Sequence, residues 1–368
     1  MALNLIDPKD WTPSVFVESL DQPLSLHPFG ARQGDAAWYA LQTAGAVPLL
    51  GTHVGATIDW AVEASRRAPL PGFGRTAEAW EVLASAAVAD VSAARAMEPH
   101  LDARSIITQA GIDGYDVDLD AINADDDSSW GVYAAEGARL EARPTDEGWV
   151  LSGTKNWCSL ADDLSHALVT AWTGAETRRL FAIDLKCSGV HAHRGPWHAR
   201  GLSRIVSAPV DFDDVPATPV GPDGWYLQRP GFAWGGMGVA AVWWGATAPL
   251  VRAVVDRAAS EGADQIAAMY AGAADTAFWS LRSVLAEAAH AVDAGVTGRD
   301  LRITAERVRA IAASTVEEVI RISDHALGPG PLTTDEKHAR RVSDLRIYVR
   351  QHHAERDLAR LGSLLARR

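Results

Sequence analysis

Helical patterning runs along both ends of this chain and is interrupted once, between Trp130 and Pro222, by residues that alternate as strands do. Up to residue 127 the sequence is Ala-rich, with apolar residues at helical spacing over 35–46, 53–68, 76–97 and 100–111 and punctuation such as Pro69-Leu70-Pro71-Gly72 between them. Asp125-Asp126-Asp127 then marks a turn. Runs such as Trp149-Val150-Leu151-Ser152 and residues 167–172 carry Val, Trp and Thr at period two, which predicts a small antiparallel sheet or barrel. Helical patterning resumes after Pro230, over 238–260, 271–294, 303–323 and 334–367. Most folds that mix helices and strands interleave them more evenly, so the block order helix, sheet, helix is informative by itself. It predicts an α+β chain divided into 1–127, 128–224 and 225–368.

The chain is long enough for such an organisation: 368 residues, 48% of them hydrophobic, bury a substantial core. Its 47 acidic against 34 basic residues leave a net charge of −13, which repels nucleic acid and anionic membranes and predicts neither as a partner. The start, Met1 to Lys9, shows no basic and apolar signal pattern. The longest apolar stretch, 238–251, is shorter than the roughly 20 residues that cross a bilayer and contains Pro249, so no membrane insertion is expected. Two cysteines, Cys158 and Cys187, suit a reduced, cytoplasmic protein. No Gly-X-Gly-X-X-Gly follows a strand, which disfavours a Rossmann-type NAD site, and His191-Ala192-His193 and His352-His353 lack the Cys or carboxylate companions of a metal site.

Three strings in the β-rich stretch carry a further signal. They are Trp130-Gly131-Val132-Tyr133-Ala134-Ala135-Glu136, Ser152-Gly153-Thr154-Lys155-Asn156-Trp157-Cys158-Ser159, and Asp211-Phe212-Asp213-Asp214-Val215-Pro216, with Arg200-Gly201 before the last. In this order they resemble the middle domain of the acyl-CoA dehydrogenase superfamily, and the resemblance extends over 98–361. It implies an N-terminal helical domain, a flavin-facing antiparallel β-domain and a C-terminal four-helix bundle, with FAD as cofactor. A flavin ring is flat, with apolar faces and a polar edge, so it wants an aromatic wall and a hydroxyl near N5. The resemblance gives those tasks to Trp157 and Ser159, and places Ala134 and Ala135 at the ring's edge, with Ala135 where a hydroxyl is usual. Read alone, Trp157 is equally an ordinary sheet aromatic and Ser159 a turn residue.

The C-terminal region bears on mechanism. Gly328-Pro329-Gly330-Pro331-Leu332 matches the family's Gly-rich turn, which puts Gly328 and Gly330 among the cofactor-binding candidates. From Asp344-Leu345-Arg346-Ile347-Tyr348 the alignment then runs without gaps to His352, at the position of the Glu that takes the α-proton while the β-hydrogen leaves as hydride to flavin N5. Glu355 is the nearest carboxylate. Independently, Val342, Leu345, Val349 and His352 line one helix face whereas Leu358, Leu361 and Leu365 fall on roughly the opposite one, which predicts a break near 352–354. A structural histidine at a helix end is the competing reading of His352. The alternative base position on the first helix after the β-domain falls near Gly238, with Val239 where an Arg often follows. Over 257–269 the family's Arg-X-X-Phe-Gly pattern is absent.

These observations leave three functions open. The first is an FAD-dependent oxidoreductase that dehydrogenates an acyl thioester, with His352 or Glu355 as base. The second is a flavin monooxygenase on the same scaffold, in which a neutral His works with oxygen. The third is a non-catalytic subunit of a hetero-oligomeric dehydrogenase. The resemblance further implies acyl-CoA or a related small molecule as substrate, a flavoprotein or oxygen as electron acceptor, and a homodimer or homotetramer, for which 14 tryptophans offer apolar surface.

Overall fold

The structure is a computed structural model that describes residues 20–27, 35–193 and 195–366. The start at Met1 to Lys9 lies outside them. Four helices come first: α1 Ala36–Ala46, α2 Val54–Ser65, α3 Thr76–Ala89 and α4 Val91–Ile112. A break expected between residues 97 and 100 lies instead at Asp90, whose extended backbone ends α3 and whose Oδ1 accepts the Ala93 amide at 2.9 Å as the cap of α4. Pro99 sits inside α4. From Thr76 to Val88 every residue of α3 is buried, because it lies between α1, α4, α6 and α7 and its alanines let neighbours come close.

The middle block holds β1 Trp130–Tyr133, β2 Leu140–Thr145, β3 Gly148–Ser159, β4 His166–Trp172, β5 Arg178–Asp184, β6 Val190–Ala192 and β7 Ser207–Val220. Pairings β4–β2, β2–β3, β3–β7, β7–β5 and β5–β4 return to their start, so the sheet closes on itself as a small barrel. It is not wholly antiparallel. β1 runs parallel to β4, and Glu141 of β2 makes a parallel bridge to Trp172, because the chain between β1 and β4 is long enough to return in the same direction.

The rest is helical: α5 Trp225–Gln228, α6 Pro230–Ala259, α7 Gln265–Asp293, α8 Gly298–Leu327, α9 Gly330–Thr334, α10 Glu336–Tyr348 and α11 Glu355–Ala366. Helices α6, α7 and α8 pack on one another, and α10 closes the group against α4, α6 and α8. Pro249, read as an interruption, lies within a continuous α6. By length and composition α6 is long and apolar enough to cross a membrane, yet 78% of its most apolar window is buried inside the protein. Trp243 and Trp244 at its centre are 0% and 1% exposed; each removes on the order of 200 Å² from water, about 5 kcal/mol before the cost of ordering the side chain.

The predicted break is present. After α10 and a 3-10 turn over Val349–Gln351, His352 is extended (φ −87°, ψ 120°), Ala354 is left-handed at φ 47°, and α11 leaves in a new direction. Val342, Leu345, Val349 and His352 are buried, while Leu358 and Leu365 are exposed.

Candidate active site

Strand β3 positions the proposed aromatic wall. Its register with β7 shifts between Lys155 and Cys158, a bulge that re-aims side chains. Lys155 and Cys158 therefore both face inward. The Lys155 Nζ donates to the Thr170 carbonyl at 2.9 Å and hydroxyl at 2.8 Å; burial lowers the amine to about 8 and raises the Cys158 thiol to about 12. Trp157, between them, is turned out at φ 63° with 60% of its surface exposed. Among the described residues no ring stacks on this indole, which is held on the surface in a strained backbone conformation.

Ser159, two residues on, is 8% exposed. Its hydroxyl accepts Arg95 Nη2 at 3.0 Å and bonds the Ser207 hydroxyl at 2.7 Å, while its carbonyl accepts the Tyr133 hydroxyl at 3.0 Å. The structure thus joins the end of β1 to the end of β3. Ala134 is half-buried and Ala135 exposed just beyond Tyr133. The loop before β7 docks on α10: the Leu202 amide donates to Asp344 Oδ1 at 2.5 Å, and any Cβ on Gly201 would overlap the Ser343 carbonyl. Burial lifts the Asp344 carboxyl to about 6, against the pull of the Leu202 amide.

From Arg95 a half-buried polar line continues inward. Arg95 lies 3.4 Å from Glu98 Oε2, which also accepts the Tyr348 hydroxyl at 3.2 Å, and its guanidinium lies over the Tyr348 ring at 5.7 Å. Asp102, one turn along α4, is 3.7 Å from Arg229. Burial raises both carboxyls; Arg95 opposes this at Glu98 and Arg229 at Asp102. Glu98 and Asp102 help to line a cavity of about 30 Å³ with Pro71, Trp80, Leu83 and Trp234, and Gly238 is in its wall. Arg95, Glu98 and Asp102 were missed as candidates because helix charges are ordinarily solvated. Their spacing of three and four residues on an Ala-rich helix was the available signal.

The line ends at His352. Arg309 donates to the Gly236 carbonyl and to the Gln351 carbonyl, each at 2.9 Å, which pins the residue before His352 to α6. His352 is 8% exposed, its Nε2 has no hydrogen-bond partner, and the nearest charge is Asp357 Oδ2 at 3.8 Å. Burial holds the imidazole below its ordinary value, against the pull of Asp357, so it is neutral at pH 7. Glu355 is exposed at the start of α11, and Asp357 takes the buried place instead. Gly328, at φ 65°, ends α8 and Gly330 starts α9; a Cβ on either meets nothing within 4 Å, and among the described residues no hydrogen bond joins them to Trp157, Ser159 or His352. No group of His, Cys, Asp and Glu among the described residues is arranged to hold a metal ion.

No protein-family model and no curated protein matches the sequence. Solved structures do match. FMN-bound TdsC from Paenibacillus sp. A11-2 superposes with a TM-score of 0.75 at 17% identity, over 90% of this chain and 97% of that one. Butyryl-CoA dehydrogenase from Megasphaera elsdenii gives 0.74 at 14%, over 92% and 100%. The chain has the acyl-CoA dehydrogenase fold. KijD3, solved with FMN and dTDP-3-amino-2,3,6-trideoxy-4-keto-3-methyl-D-glucose, gives 0.71 at 18%, over 91% and 95%. On this fold Trp157 is exposed at the barrel surface, the Ser159 hydroxyl is tied to Arg95 and Ser207, and His352 is buried with its Nε2 turned toward Asp357.

Proposed function

We propose that the chain is a flavin-dependent oxidoreductase that oxygenates a small molecule. The observation that carries this reading is His352: a buried, neutral imidazole at the position to which the sequence resemblance gives a dehydrogenase's catalytic Glu. Bound flavin, reduced by an external electron donor, would supply two electrons to O2, so that with two protons one oxygen atom enters the substrate and the other leaves as water. This chain's residues supply the rest. Trp157 would stack on the ring, Ser159 would bond its edge with Arg95 fixing the hydroxyl, Ala134 and Ala135 would border it, and His352 would give and take the proton. TdsC, a dibenzothiophene monooxygenase of this fold, supports the reading.

The second reading, dehydrogenation of an acyl thioester, draws support from Glu98, a buried carboxylate across the same cavity from Gly238, where the alternative base position falls. FAD is the flavin that the resemblance implies. Without the Arg-X-X-Phe-Gly pattern the pyrophosphate loses one partner-side grip, so FMN is expected to bind with comparable affinity, and Gly328 and Gly330 stand as the remaining candidates for the FAD half. A homo-oligomer in the cytoplasm, with both Cys158 and Cys187 free thiols, completes the proposal.

One experiment separates the two reactions. The flavin-loaded protein is mixed with butyryl-CoA without oxygen, and in parallel the reduced protein is mixed with oxygen and an aromatic substrate such as indole. Bleaching by butyryl-CoA supports dehydrogenation; an oxygenated product that disappears in His352→Ala supports the reading favoured here. Unchanged rates in both His352→Ala and His352→Glu reject the role of His352.

A further inference from the structure

We propose that Asp357 is a positioning residue for His352, turning the Nε2–H of the imidazole toward its carboxylate so that Nδ1 is the nitrogen left to exchange protons. In an unbroken helix, residues 352 and 357 would lie about 140° apart at about 100° per residue. The break changes this. His352 in extended conformation and Ala354 at φ 47° bring the imidazole Nε2 to 3.8 Å from Asp357 Oδ2. Contacts of this kind are often long before a ligand closes the site.

The placement of Asp357 is the anomaly that calls for a role. Its side chain is 2% exposed, while Glu355, Arg356 and Leu358 around it on α11 are exposed. An α11 turned by about 100° would bury Leu358 in its place, at no cost in desolvated charge. The carboxylate is held firmly: Oδ2 accepts the His353 amide at 3.0 Å, and Arg360 is 3.0 Å from Oδ1. Burial alone would raise this carboxyl, but the His353 amide, Arg360 and the two histidines outweigh it and keep Asp357 ionised. Arg309 fixes the other side of the pair through the Gln351 carbonyl. The charged groups that face His352 are therefore Arg309 and Glu306 from α8, Asp357 from α11, and His353 from the turn. Orientation of an imidazole by a buried aspartate also selects its tautomer.

The use of that proton rests on the flavin reading above; the pair itself does not. The test is nuclear magnetic resonance of the purified full chain, labelled with 15N-histidine and without added flavin, in wild type, Asp357→Asn and Asp357→Glu. The Asn side-chain oxygen still accepts the His353 amide, so a purely structural Asp357 would leave His352 unchanged in that variant. The expected result is a neutral His352 with its proton on Nε2 in wild type, loss of that tautomer and titration at lower pH in Asp357→Asn, and recovery in Asp357→Glu. An identical tautomer and titration in wild type and Asp357→Asn overturn the proposal. If the Asn variant fails to fold, Asp357→Glu carries the test: a proton shifted from Nε2 to Nδ1 there sinks it equally. In flavin-loaded protein, kcat in Asp357→Asn should fall about tenfold or more with KM little changed. A chain that binds no flavin would remove that second readout and leave the first intact.

Discussion

At the scale of single residues, Trp157 separates function from stability. Its indole is exposed and its backbone strained, so Trp157→Gly relieves a left-handed conformation worth about 1 kcal/mol while removing the stacking surface. Flavin affinity should fall about tenfold with no fall in the urea midpoint, measured by fluorescence titration and denaturation on the same preparation. His100 makes the opposite case. Burial, with Arg104 and Arg66 adding to it, lowers its pKa from the usual 6.5 to about 3. Between those values the unfolded chain binds a proton that the folded one refuses, so its contribution to stability is complete above pH 6.5 and is lost as pH falls toward 3. Urea unfolding as a function of pH should show that loss in wild type and less of it in His100→Gln. Trp157 and Ser159 were readable as candidates because the resemblance supplied their context. Arg95, Glu98 and Asp357 were not, because burial decides their meaning and charged residues on helices are usually solvated.

Elements owe their positions to close approaches that a few small or capping residues permit. Gly245 on α6 faces α3 so closely that any Cβ would overlap the Ala84 carbonyl. Gly245→Ala should therefore cost about 1–3 kcal/mol, because backbone on both sides must move, and thermal unfolding measures it. The guanidinium of Arg341 on α10 ties the same region, donating to the Ala87 carbonyl at 2.7 Å and the Val88 carbonyl at 2.7 Å at the end of α3. Most element types followed from periodicity. The reversal of the apolar stripe after His352 located the break before α11, since a switch of face needs a change of backbone direction. The expected break between residues 97 and 100 misled because packing keeps α4 continuous through Pro99, whereas the helix expected over 238–260 does run through Pro249. The parallel pairing of β1 was hidden because strand direction depends on where a long connection returns, which alternation does not encode.

Over the whole molecule, the block order helix, barrel, helix is what places a strand-borne hydroxyl, that of Ser159, against a half-buried helix-borne polar line. Ser159, Arg95, Glu98, Tyr348, Arg309 and Gln351 connect the barrel to the turn at His352 through α4, α8 and α10. Exposed apolar residues at Ile311, Ile347, Leu358 and Leu365 suit the proposed homo-oligomer, and light scattering of the purified chain should return a mass above that of one 39.3 kDa chain. Flavin binding is the claim beneath every functional step. The most direct measurement is the absorption spectrum of the purified chain after incubation with FAD or FMN and removal of the excess. The account predicts retained flavin bands in the near-ultraviolet and blue that weaken strongly in Trp157→Ala. A colourless wild-type protein with either flavin, or equal retention in wild type and Trp157→Ala, would contradict it.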